Sequence, residues 1–106
     1  MSTNISKNKS FLDLLLTTSR EQALSLLQAV TPSQGLLLTE IAYNLLLEEV
    51  PLPKKITNYI KKHRKLFVRI ANSKLSATRK QKAIQKDARH VLFVLLALKE
   101  QLTSLL

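Results

Sequence analysis

The chain has no cysteine, only one glycine (Gly35) and only three prolines (Pro32, Pro51, Pro53) in 106 residues. Without cysteine, disulfide frameworks, thiolate metal sites and cysteine nucleophiles are excluded, and a reducing cytosol, nucleus or virion interior is the fitting setting. One glycine rules out a Gly-rich loop that cradles phosphates. With no Asn-Gly pair either, little room is left for β-hairpins. Long apolar runs are also scarce. The densest, Val91 to Leu98, has eight residues, against roughly 20 for a helix that spans a bilayer. Near the start, Asp13 interrupts the apolar stretch Phe11 to Leu16 and no small-residue cleavage site follows, so a signal peptide is not expected. These absences predict an intracellular protein, neither secreted nor membrane-spanning. Residues 1–9 are expected as a flexible tail and residues 10–106 as one helical domain.

Acids are missing from one region in particular. Residues 1–50 hold three basic and five acidic side chains, a balance of −2. Residues 54–89 hold thirteen basic residues against Asp87 alone, a balance of +12, and residues 90–106 balance at zero, which gives the net +10 of the chain. Such asymmetry speaks to partners rather than to fold.

Leucine, lysine, alanine and glutamine are plentiful, and their arrangement predicts helices throughout. A short leucine-rich helix is expected over Ser10–Thr18. Ser19-Arg20-Glu21-Gln22 has the form of a capping box, and behind it Ala23, Leu26, Leu27 and Val30 share one face. Thr31-Pro32-Ser33-Gln34 repeats the signal before a helix rich in apolar residues, which the Glu48–Pro53 segment ends. From Lys54 to Ala71 one helix is expected, with Ile56, Tyr59, Ile60, His63, Phe67 and Ile70 on its apolar stripe. After a break at Asn72-Ser73-Lys74, Ser76 or Thr78 caps a last helix that could run unbroken to Leu106. In it Ile84, Ala88, Val91, Leu95, Leu98, Leu102 and Leu105 alternate spacings of four and three, a heptad seam. The expected fold class is all-α, a compact bundle of four to five helices with a long C-terminal helix.

Two basic stripes ride on these helices. Lys61, Lys65 and Arg69 stand at i, i+4 and i+8, widened by Lys62 and Arg64 and extended by Lys54 and Lys55. Arg79, Lys82 and Lys86 form the second, with Lys74, Lys80 and Arg89 beside it. If the helices pack antiparallel, both stripes can face the same side. A solvated helix face would intersperse acids for i, i+4 pairing, and this segment has only Asp87. The expected partner is a polyanion, nucleic acid first, with all thirteen side chains as candidate phosphate contacts. Lysine outnumbers arginine nine to four here, which favours point contacts to phosphate over bidentate reading of bases. Tyr59 and Phe67 fall on the apolar stripe and are expected in the core, so duplex DNA is preferred to a single strand.

Catalysis finds little support. Asp13, Glu21, Glu40, Glu48 and Glu49 have no histidine near them in sequence, His63 is in core register and His90 borders an apolar run. Two separated histidines do not make a zinc site, and no cofactor, metal or catalytic residue is expected. The alternative function is a helical scaffold that self-associates through Val91, Leu95, Leu98, Leu102 and Leu105, or meets an acidic protein. A central core helix is the other reading of the same residues.

The order and spacing of several segments resemble a small basic protein of Maverick/Polinton-type mobile elements and the adintovirus-like viruses related to them. They are Asn44 with Leu45-Leu46-Leu47, Glu48-Glu49, Pro51-Leu52-Pro53, Lys54-Lys55-Ile56, His63-Arg64-Lys65-Leu66, Ser73-Lys74-Leu75-Ser76, Arg79-Lys80-Gln81-Lys82 and Gln85, over residues 20–86. In that family a Gly-Gly and a hydrophobic tail commonly follow. Here Lys86-Asp87-Ala88-Arg89-His90 replaces the glycines, so the tail is expected to continue as helix. The resemblance implies a genome-associated core protein of a virion or mobile element, and supplies no functional residues of its own.

Overall fold

Three of the helices begin at side-chain caps. In the computed structural model, which describes residues 6–46, 52–72 and 74–103, Ser19 Oγ accepts from the Gln22 amide at 3.2 Å to open α2, Arg20–Gln28. The reciprocal half of that box is absent, because the Gln22 side chain instead bonds the Thr18 hydroxyl. The box that opens α3, Pro32–Leu46, is complete: Thr31 Oγ1 accepts from the Gln34 amide at 3.2 Å and Gln34 Oε1 accepts from the Thr31 amide at 3.0 Å. Ser76, rather than Thr78, caps α6, Ala77–Lys86, by accepting from the Arg79 amide at 3.2 Å. Each bond satisfies one amide that the first turn of a helix would leave open.

The remaining helices are α1 (Lys9–Thr17), α4 (Lys54–Lys62), α5 (Arg64–Ala71), α7 (Ala88–Ala97) and α8 (Lys99–Thr103). Among the described residues the fold is all helical, with no strand. Helix α3 is central. It packs against both α5 and α6, while α2 lies on α6 and α7, α1 meets α2 and α8, and α4 meets α7. Leu37, Leu38, Ile41 and Leu45 of α3 bury against Phe67 and Ile70 of α5 and Ile84 of α6, in one continuous core. Gln81 Nε2 donates to the Val30 carbonyl at 2.8 Å, tying α6 to the end of α2.

Two helices expected to be continuous are bent. The Lys54–Ala71 rod breaks at His63 (φ −110°, ψ 30°), and the C-terminal rod breaks at Asp87 (φ −112°, ψ 35°) and Leu98 (φ −103°, ψ 14°). All three sit in the sparsely allowed bridge region of the backbone. Length explains the C-terminal breaks. An unbroken helix over residues 77–103 would be about 40 Å long, whereas the whole molecule measures 30 × 29 × 28 Å. Folding the rod back at Asp87 and Leu98 lets one apolar seam line a nearly spherical core. The bend at His63 does similar work, turning α5 onto α3 while α4 reaches α7.

The long C-terminal helix is therefore replaced by three shorter ones, and its seam faces inward. Val91, Leu95, Leu98 and Leu102 are 2–5% exposed within a single chain. They are corrected from candidate oligomer contacts to core; Leu105 lies outside the described residues. So do residues 1–5 of the expected tail, the Leu47–Pro51 helix end and Ser73. Nearer the core, Asn8 Nδ2 donates to the Ser33 carbonyl at 3.3 Å and Lys9 already opens α1. The radius of gyration of 12.4 Å is that of a compact globule, for which about 13 Å is typical at this length. No helix among the described residues is long and apolar enough to cross a membrane.

Gly35 offers a direct test of the packing at the centre. It is buried in the interior of α3, and a Cβ there would meet Ile84 Cδ1 at 3.6 Å, ordinary van der Waals contact. Gly35→Ala is expected to stabilise the fold by about 0.5–1 kcal/mol, read as a rise of about 2–6 °C in Tm. A fall in Tm would show that α3 and α6 approach more closely than this.

Candidate polyanion interface

The bends and caps set where the cations stand. Twelve of the thirteen basic side chains between residues 54 and 89 are exposed. Two open clefts gather most of them. The larger, about 880 Å³, is lined by Lys61 and Lys62 at the end of α4, by Arg64, Lys65, Val68 and Arg69 of α5, and by His63, Asp87 and His90 at the two bends. The smaller, about 300 Å³, is lined by Arg69, Leu75, Arg79, Lys82, Ala83 and Lys86, between α5 and α6. Arg69 belongs to both, so the two stripes form one basic surface that turns the corner from α5 to α6. Lys54, Lys55, Lys74 and Arg89 are exposed but line neither cleft.

Among the described residues, eight cations thus border the two clefts with one carboxylate, that of Asp87. Side chains one helical turn apart are about 5–6 Å from each other. Two like charges at that distance repel by about 0.7 kcal/mol in water before screening. The fold tolerates this repulsion along the whole surface. Helix dipoles add little, since the negative end of α4 and the positive end of α5 meet at His63 and offset one another. The potential of the cleft comes from its side chains.

Lys80 is the exception. Its side chain is 4% exposed, and burial lowers the pKa of its ammonium. Little of it reaches the surface, and it is corrected from an exposed contact to a core-facing residue. The reason is register: Lys80 precedes Ile84 by four and Ala88 by eight, on the face that α6 buries with Ala83 and Ile84. That spacing was readable in the sequence. Lys80→Met, which keeps the aliphatic stem and removes the desolvated charge, is expected to stabilise the protein by on the order of 1 kcal/mol. Nucleic-acid affinity should stay within about twofold of wild type, since one cation that touches no phosphate is lost. Thermal melts and a binding titration check the two halves.

Two rings, His63 and His90, line the larger cleft, and two more, Tyr59 and Phe93, pack beside them. His63 and His90 stack with centroids 4.0 Å apart at 30°. Tyr59 lies 4.6 Å from His63 and 4.2 Å from Phe93. Tyr59 Oη and His90 Nδ1 share a 2.7 Å hydrogen bond. Burial raises the Tyr59 pKa, so its hydroxyl keeps the proton it can give to that nitrogen. The His63 pKa is lowered by burial first, then by repulsion from His90 and Lys62, with Asp87 opposing. His63 and Tyr59 are half-buried, and Phe67 is fully buried. Phe93 is different: it is 40% exposed although Val91, Leu92, Val94 and Leu95 around it are buried. It lies two residues from Val91 and from Leu95, opposite the seam, and the apolar run concealed this in the sequence.

Among the described residues no three His, Asp or Glu side chains cluster as a metal site. The arrangement brings together charge, depth and aromatic surface, suited to holding a phosphate chain. No family model, curated protein or solved structure matches the chain.

Proposed function

We propose that this chain is a non-enzymatic protein that binds nucleic acid by its phosphate backbone, without reading sequence. One observation carries the reading: two clefts that share Arg69 and that, among the described residues, are lined by eight cations and a single acid. A nucleic-acid backbone supplies closely spaced negative charge, about one per 1.7 Å of duplex, and neutralises the repulsion that the surface otherwise bears. Five of the eight cations are lysines (Lys61, Lys62, Lys65, Lys82 and Lys86), which serve phosphates as point charges. The resemblance to the small basic protein of Maverick/Polinton-type elements adds a setting, a genome-associated protein of a virion or host nucleus. Self-association through the C-terminal helices gains nothing from the fold, because Val91, Leu95, Leu98 and Leu102 already contact this chain's own core.

Salt dependence is the test. If about six phosphates are neutralised, the logarithm of affinity falls against the logarithm of salt with a slope near −5. Between 50 and 200 mM salt the affinity should drop by about 10³-fold. Titration of labelled oligonucleotides of unrelated sequence should give the same slope for each. Affinity indifferent to salt, or spread widely among sequences, would remove the reading.

A further inference from the structure

We propose that the preferred ligand is single-stranded nucleic acid, held by one base stacked on Phe93 while the neighbouring phosphates lie in the basic cleft. The inference rests on the nucleic-acid reading above and names the strand form that the site takes. Phe93 is the starting observation. A large aromatic ring at 40% exposure, on a helix whose flanking residues are buried, offers a free face to a planar partner. Tyr59 covers the other side at 4.2 Å and 31°, and so fixes the ring in place. From Tyr59 the rings continue without a gap to His63 and to the stacked His63–His90 pair. Those two histidines line the cleft that also holds Lys61, Lys62, Arg64 and Lys65. His90 and Phe93 are three residues apart on α7, about 4.5 Å along the helix axis. The aromatic platform therefore adjoins the cationic cleft through His63 and His90.

That combination is what an unpaired strand requires. Its phosphates need a basic track, and its exposed base faces gain from rings that every base can stack on. A duplex hides its base faces within the stack, so Phe93 would add nothing to binding it. The sequence-based preference for duplex assumed that the aromatics near the lysines are core. Phe67 is, but Phe93, inside the apolar run, is exposed.

The test compares a 12-nucleotide thymidine strand, an abasic strand with the same number of phosphates, a duplex, and poly-glutamate, each titrated against the full chain. Phe93→Ala and Phe93→Leu should each weaken binding of the thymidine strand by about 5- to 150-fold and leave the duplex unchanged. Wild type should bind the abasic strand as weakly as the alanine variant binds the thymidine strand. The chain contains no tryptophan, so Phe93→Trp gives a single reporter whose emission the thymidine strand should quench and the abasic strand should not. Thermal melts show whether the alanine variant folds, and the leucine variant keeps the apolar bulk if it does not. Equal losses for strand and duplex, no loss for either, or unquenched emission would overturn the stacking proposal and leave phosphate binding standing. Poly-glutamate bound as tightly as the thymidine strand would show an acidic-protein site instead. Failure of wild type to bind any nucleic acid would remove the underlying reading as well.

Discussion

Replacing Lys61, Lys65 and Arg69 together by glutamate is expected to lower nucleic-acid affinity by on the order of 10³-fold at moderate salt, with the fold intact. Each lysine or arginine at an anionic surface is worth roughly 1 kcal/mol. Three contacts are lost and three repulsions appear, which together come to about 4 kcal/mol, or about 10³-fold. The salt slope should fall from near −5 to near −2, as about three fewer counterions are released. All three side chains are exposed, and Arg69 is the one shared by both clefts. Net charge drops by six, from +10 to +4, so self-repulsion decreases and Tm should hold or rise. The control is the triple glutamate replacement of Lys7, Lys9 and Arg20. It changes net charge by the same amount from exposed positions outside the clefts. That control should cost less than about tenfold, because none of the three lines either cleft and salt screens exposed charges that touch no phosphate. Equal losses from both triples would mean that total charge, and not the cleft, governs binding.

Local signals were legible in the sequence because they depend on neighbours in the chain. The caps at Ser19, Thr31 and Ser76 need only a hydroxyl and an amide three residues on. The apolar faces of α2, α3 and α5 follow from their spacing, and the exposure of twelve cations follows from desolvation cost. The bends at His63, Asp87 and Leu98 were not legible. No proline or glycine marks them; the last of either is Pro53. They arise from the size of the core and from which helix each half must reach, neither of which is a local property. Lys80 shows a different kind of miss. Its register with Ile84 and Ala88 pointed inward, but its charge argued for the surface, and at this position register prevailed. Phe93 is the mirror case, where hydropathy pointed inward and register pointed out. In both, the angle around the helix was the better guide than the residue's own polarity.

The same helix supplies the largest expected effect on stability. Leu95 is 2% exposed and closes a small gap, about 20 Å³, between Leu38 and Leu45 of α3, Phe67 and Ile70 of α5, and Val91 and Val94 of its own helix. Leu95→Ala removes apolar contact and leaves a larger void that three packed helices cannot readily collapse. The expected loss is about 3–4 kcal/mol, a large share of the roughly 5–15 kcal/mol that a domain of this size possesses. Tm should fall by about 15 °C. Leu96, the next residue, is 38% exposed, and Leu96→Ala should cost less than about 1 kcal/mol. The contrast separates a core helix from an association seam. A seam residue truncated to alanine would give a smaller particle that melts at its own, little-changed temperature once dilute. A core residue gives a particle of unchanged mass that melts early at every concentration. Thermal melts at several protein concentrations, with sedimentation beside them, therefore decide the matter. Early melting of Leu95→Ala that is independent of concentration is the result expected, because its neighbours on three helices belong to the same chain.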